Sequence, residues 1–207
     1  MIESTKALVN AIIAGGWVSV VIIILICLVA ALCSSFYGIF FSSETSQSGM
    51  NITSVIQQIN NEFDDKIDEI KSSGSFDGVE VIGSRSNWKD ILSIYAVKTT
   101  TDENNPMEVA TVDENKKAIL SSIFWDMNNI SKSVEIRTET ITKESTDEQG
   151  NTIEATEQVE KKYLVITLTG KTAEDMSATY SLNDTQKKYL AELMSDKKQQ
   201  ALGIAYL

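Results

Sequence analysis

The chain has 207 residues, with 18 Lys and Arg against 29 Asp and Glu, a formal net charge of −11, two cysteines and no histidine. That length holds one ordinary domain beside an anchor and a connector. The lack of histidine removes Ser-His-Asp and Cys-His nucleophilic machinery and every His-ligated zinc site, and the acidic balance, with no Lys/Arg cluster apart from it, argues against direct binding to nucleic acid or anionic lipid.

Both cysteines, Cys27 and Cys33, lie in the longest apolar run, so the rest of the chain has no disulfide, thiol nucleophile or Cys-based metal site. No cofactor and no metal are expected, and only carboxylate chemistry of the glycosidase kind remains open to an enzyme.

Residues 1–10 read as a cytoplasmic N-terminus and 11–41 as a transmembrane anchor. Between Lys6 and Glu44 stand 37 uncharged residues, including WVSVVIIILICLVAALC. A bilayer core needs roughly 20 apolar residues in a helix. A buried soluble helix of that length would show a polar face, and this run shows none. Trp17 at one end and Phe36, Tyr37, Phe40 and Phe41 at the other are placed as interfacial aromatics. A cleaved signal peptide competes with this reading, but the run exceeds an ordinary signal core and lacks a small-x-small site at its end. Leu32 before Cys33 disfavours a lipoprotein cysteine. Lys6 and the amino terminus stand on one side and the acidic remainder, 17 basic against 28 acidic side chains, on the other. The positive-inside rule then predicts a single-pass protein with its bulk outside the cell.

Ser-rich residues 42–51 are a flexible linker. Over 52–71, Ile52, Val55, Ile56, Ile59, Phe63, Ile67 and Ile70 recur at helical steps, and Asn60, Asn61, Glu62, Asp64, Asp65 and Lys66 cover the opposite face. The stripe suits a stalk pairing chains or a helix packed on its own domain; a stalk-like helix is expected, with homo-oligomerisation left open. Residues 72–86, SSGSFDGVEVIGSRS, read as a hinge.

Residues 87–207 are predicted to form an extracytoplasmic α+β module with about four to five helices and one long β-hairpin. Trp88, Ile91, Leu92 and Tyr95 share a face of its first helix, which ends at TTTDENNP with Pro106. TVDE, residues 111–114, has capping-box spacing and opens a helix whose stripe is Ile119, Leu120, Ile123, Phe124, Met127 and Ile130. SVEIRTETITKES and NTIEATEQVEKKYLVITLTG flank TDEQG as a hairpin whose turn end is polar and projects into solvent. TAEDMSATY and NDTQKKYLAELMSD return to helix, with Asn183 as N-cap and Tyr189, Leu190, Leu193 and Met194 facing inward. The apolar end QQALGIAYL either docks on the core or leads into a further domain.

Several stretches together carry a family likeness: WKDILSIYAVKTTTDENNPMEVATVDENKKAILSSIFWDMNNIS, the Thr/Glu hairpin, YLVITLTGKTAEDMSATYSLNDTQKKYLAELMSD and the anchor ALVNAIIAGGWVSVVIIILICL. The chain resembles the membrane-anchored N-terminal region of clostridial mobile-element proteins encoded in conjugative transposons. That region commonly precedes a peptidoglycan hydrolase domain, of CHAP or related cysteine-peptidase type or lysozyme-like. The resemblance implies a setting on the outer face of a Gram-positive membrane, beside the wall, during conjugative transfer. Implied partners are other conjugation and cell-wall hydrolase proteins and peptidoglycan. No Cys or His follows residue 33, so no lytic residue carries over. The lysine-rich N-terminal extension of many relatives is also missing.

Three groups are candidate sites, each with a plainer reading beside it. Trp88, Tyr95, Phe124 and Trp125 offer faces on which sugar rings stack, but periodic aromatics ordinarily fill a core. Glu108, Asp113, Glu114 and Asp126 could supply a carboxylate pair for glycoside hydrolysis, though capping accounts for Asp113 and Glu114. Asp147, Gln149 and Asn151 could hold calcium, but a tight turn explains the same letters and the bidentate glutamate is missing. The sequons NIT, NIS and NDT carry no weight in a bacterial protein. The reading adopted is an assembly module without catalytic residues; its rivals are the anchor region of a truncated or split peptidoglycan hydrolase, a carboxylate-dependent muramidase, and a scaffold comparable in role to secretion-channel subunits.

Overall fold

In the computed structural model, which describes residues 21, 22, 24, 50–109, 111–146 and 152–195, the chain is mixed α+β. From Met50 on, the described residues form α1 (Ile52–Lys71), β1 (Gly78–Ser84), α2 (Trp88–Thr100), α3 (Glu114–Met127), β2 (Asn128–Thr146), β3 (Thr152–Gly170), α4 (Ala173–Thr179) and α5 (Asp184–Met194). Among the described residues no helix is long and apolar enough to cross a membrane. The expected anchor lies outside them apart from Val21, Ile22 and Ile24, which are helical. The linker before Met50, the candidate calcium ligands Asp147, Gln149 and Asn151, and the apolar C-terminal end also lie outside the described residues.

The described residues divide into two compact units, one made of those up to Asn60, those of Ser86–Asn128 and those from Gly170 on, the other of those in Asn61–Arg85 and Asn129–Thr169. In the first unit α2 is central and packs against α3, α4 and α5. That position explains its burial: Ile91, Leu92, Ile94, Tyr95, Ala96 and Val97 are all buried, so apolar residues surround the helix instead of forming the one-sided stripe expected. Around it stand Leu120, Ile123, Phe124 and Met127 of α3, Ala173 and Met176 of α4, and Tyr189, Leu190 and Leu193 of α5. Ser86 ties the entry of α2 to this core. Its hydroxyl donates to the carbonyl of Lys171 (2.7 Å), and its amide to the buried Asn128 Oδ1 (2.7 Å).

The caps follow from local chemistry. Asn183 caps α5 through a reciprocal box with Gln186, as its place before a helical run predicts. Thr172 and Asp175 form a second box at α4. At the start of α3 the capping role expected of Asp113 is met: it accepts from the amide of Lys116 and is the N-cap. The TVDE box does not form, and the amide and hydroxyl of Thr111 both bond Glu108. Ile130, expected on the α3 stripe, belongs to β2.

The second unit holds a sheet of order β1-β3-β2. β1 lies in the stretch read as a hinge and pairs in parallel with β3, Gly78 opposite Tyr163 and Ser84 opposite Thr169. That pairing is between segments far apart in sequence, which local Gly/Ser composition does not reveal. β2 and β3 are the expected hairpin. Their contacts Arg137 with Tyr163 and Lys143 with Glu157 converge toward the connection, the pattern of antiparallel strands. The same contacts place odd-numbered residues of β2 and β3 on one face. The β1 register adds Glu80 to that charged face and sets Val79 and Val81 beside Leu164 and Ile166 on the other. Gly78 lies under the Tyr163 ring, where a Cβ would come within 2.3 Å of it.

The α1 stripe is also corrected. Ile52, Val55, Ile59, Phe63 and Ile67 are buried within the single chain, so the stripe is not free to act as a chain-pairing stalk. Asn51 caps this helix by accepting from the amide of Ser54 (2.8 Å).

Candidate functional site

The carboxylates singled out from the sequence do not converge. Glu108 bonds Lys116 Nζ and the hydroxyl of Thr111, and accepts from the Thr111 amide (3.1 Å). Lys116 is only 6 % exposed and Glu108 45 %. Burial by itself raises the Glu108 carboxyl, but the bonds from Lys116 and Thr111 outweigh it and hold the group below the usual carboxylate range. A general acid requires the opposite shift. Asp113 is the α3 cap, Glu114 is exposed and 3.9 Å from Lys117, and Asp126 is exposed and accepts from the Tyr180 hydroxyl (2.6 Å).

Because its folded pKa is depressed, Glu108 adds stability that is present above the unfolded carboxylate value and lost as pH falls through the folded one. Glu108→Gln is therefore expected to lower stability at pH 7 by about 1–2 kcal/mol, mostly from the buried Lys116 left without its counter-charge. The deficit should shrink as pH drops into the carboxylate range. Urea midpoints of both proteins across that range check this, and a pH-independent deficit would contradict the ion-pair account.

Asp90 was not among the sequence candidates. It is buried near the start of α2, where Asn87 Oδ1 accepts from its amide (2.9 Å) and Asn87 Nδ2 donates to its Oδ2 (3.0 Å). Burial holds its carboxyl above the ordinary range, and the charge of Glu174 adds to this. Such a shift suits a proton donor, but at 5 % exposure the group is sealed from a polymeric substrate. In the sequence Asp90 is only an acidic residue in a first helical turn, so nothing marked its burial.

The aromatics likewise take the plainer reading. Tyr95 and Phe124 are fully buried. Trp88 is half-buried and stacks on Phe124 at 5.4 Å, its indole N–H donating to Asn60 Oδ1 (3.1 Å). Trp125, also half-buried, meets Phe124 edge-on at 5.3 Å. Phe124 thus sits between two tryptophans as a core ring, not as part of an open platform.

The densest polar cluster is on the charged face of the sheet, among residues outside the three candidate groups. Arg137 makes a two-pronged bond to Glu80 (2.9 Å for one arm), pairs with Glu135 (2.8 Å) and lies 4.6 Å over the Tyr163 ring. Glu139 accepts from Lys161 and from the Tyr163 hydroxyl. Hydrogen bonding to Arg137 lowers the Glu80 carboxyl. All the charges are mutually engaged, so the cluster fastens three strands and presents no free nucleophile or proton donor. Alternation of charged residues along β2 was its only sequence signal. Among the described residues no group of His, Cys, Asp and Glu could hold a metal ion. Compared with known protein families, with curated proteins and with solved structures, the chain matches none.

Proposed function

We propose that the chain is a single-pass membrane protein whose extracytoplasmic α+β module is an assembly or positioning element of a Gram-positive conjugative transfer apparatus, of type IV secretion-like kind, acting at the cell wall. One combination carries this reading: a 37-residue uncharged run precedes a folded region whose candidate carboxylates and aromatics are committed to caps, ion pairs and core. The module works by binding, its partners being other conjugation and cell-wall hydrolase proteins, with peptidoglycan as a further ligand. The conjugative setting rests on the family resemblance, and the membrane setting on the length of the apolar run. The alternative, an anchor region of a split hydrolase, shares the anchor and differs in having a lytic partner domain. A muramidase within the module is disfavoured by the depressed Glu108 and the sealed Asp90.

The test uses the full chain with Cys27→Ser, Cys33→Ser and Thr142→Cys, Thr142 being exposed on the hairpin. A membrane-impermeant maleimide is expected to label it in intact Gram-positive cells. Labelling only after lysis would overturn the extracytoplasmic placement. The same purified chain is expected to leave a peptidoglycan zymogram dark, and a clearing zone that Glu108→Gln abolishes would establish the enzyme instead.

A further inference from the structure

α4 has seven residues, Ala173–Thr179, too few for a helix to persist without docking. Its inward residues Ala173 and Met176 are wholly buried, and its entry is tied to the start of α2 by the Ser86 hydroxyl on the Lys171 carbonyl (2.7 Å). A second tie crosses the same seam. Asp90, in the first turn of α2, accepts with its carboxylate from the backbone amide of Ala173 and, at Oδ2, from Asn87 Nδ2 (3.0 Å). Among the described residues Asp90 is the only buried acidic side chain.

Both groups that bond this carboxylate are neutral, and they offset only part of the cost of holding a charge away from water. The charges that reach it oppose one another. Glu174, exposed in the first turn of α4, disfavours the ionised form, and Lys89 of α2 favours it, although Lys89 Nζ is turned to the Met194 carbonyl at the end of α5 (3.2 Å). Burial is the largest of these influences, so the carboxyl keeps its proton to a higher pH than an ordinary aspartate. By linkage, an acid held above its unfolded pKa weakens the fold when ionised, and that burden is relieved as pH falls through the folded value. Glu108, bonded to Lys116 of α3, changes in the opposite sense, so acid loosens one tie of the helical unit while it tightens the other.

We propose that Asp90 is a proton-operated latch between α2 and α4: protonated, it lets the short helix dock closely, and ionised, it loosens that docking. The device lies within one compact unit and needs no ligand. It does not depend on which side of a membrane the chain faces.

Two measurements on the full chain in an uncharged detergent test it: titration of the Asp90 carboxyl by carbon NMR, and hydrogen exchange of the α4 amides, corrected for the intrinsic dependence of exchange on pH. The carboxyl is expected to titrate above the unfolded aspartate value of about 3.9, and protection over 173–179 to rise as pH falls through that same midpoint. Glu174→Gln, which removes an exposed like charge, is expected to move the carboxyl midpoint and the α4 transition to lower pH together. Asp90→Asn is expected to abolish the transition. A carboxyl midpoint at or below the ordinary value, α4 protection that does not change through the midpoint, a rise shared equally by α3, or a transition that persists in Asp90→Asn would each overturn the latch. If Asp90→Asn does not fold, Glu174→Gln decides the matter, because an α4 transition that stays in place while the carboxyl midpoint moves would overturn it as well.

Discussion

Replacing Phe124 with alanine is expected to lower the unfolding free energy by about 3–5 kcal/mol. The ring is fully buried on α3, faces the central helix α2, and is held between Trp88 and Trp125. Truncation removes the transfer energy of the ring and leaves a cavity that two large, already packed indoles cannot readily fill. Against a total of about 5–15 kcal/mol for an ordinary domain, the loss is a large share. Thermal and urea denaturation, followed through tryptophan emission, measure it. Trp125→Ala should lose less, because that indole is half-exposed. An unchanged melt with lost binding to cell-wall sugar would show instead that these rings form a ligand platform.

Gly83→Ala is expected to destabilise the sheet by about 2–3 kcal/mol. Gly83 has φ of +80°, a conformation that a side chain disfavours, and a Cβ there would come 2.1 Å from the carbonyl oxygen of Leu168. The backbone of β3 cannot yield as a side chain can, so β1 must give way at this end. Faster amide exchange over 78–84, with α2 and α3 unchanged, is the expected signature. Gly78→Ala is the contrast: its Cβ meets a side chain, the ring of Tyr163, and not backbone, so the ring is displaced from Glu139 and Arg137 while the β1–β3 ladder is kept, and a smaller loss is expected. Identical exchange in wild type and Gly83→Ala would contradict the strain argument.

Much of this fold follows from chemistry local to the chain. Asn183 and Gln186 cap α5 because a side-chain oxygen three residues before an open amide finds it without tertiary help. Long Thr- and Val-rich stretches on either side of TDEQG pair as β2 and β3 because short connections favour antiparallel neighbours. The apolar stripe of α1 was equally visible, but its use was not. Periodicity says that a face will be buried without saying by what, and folding buried it within the same chain. β1 shows the same limit more sharply. Its letters are those of a hinge, and what makes GVEVIGS a strand is a parallel register with β3, formed across the whole of α2, α3 and β2. Asp113 caps α3 as its sequence place suggests, whereas the tie of Thr111 to Glu108, and of Glu108 to the buried Lys116, is a tertiary arrangement that the TVDE spacing does not show. Asp90 and Glu108 carry the same chemical group and diverge in ionisation because burial prevails over the bond from Asn87 and the charge of Lys89 at the first, whereas bonds from Lys116 and Thr111 prevail over burial at the second. Propensity and capping act over a few residues, whereas register, burial and charge pairing depend on which distant segments come to lie side by side.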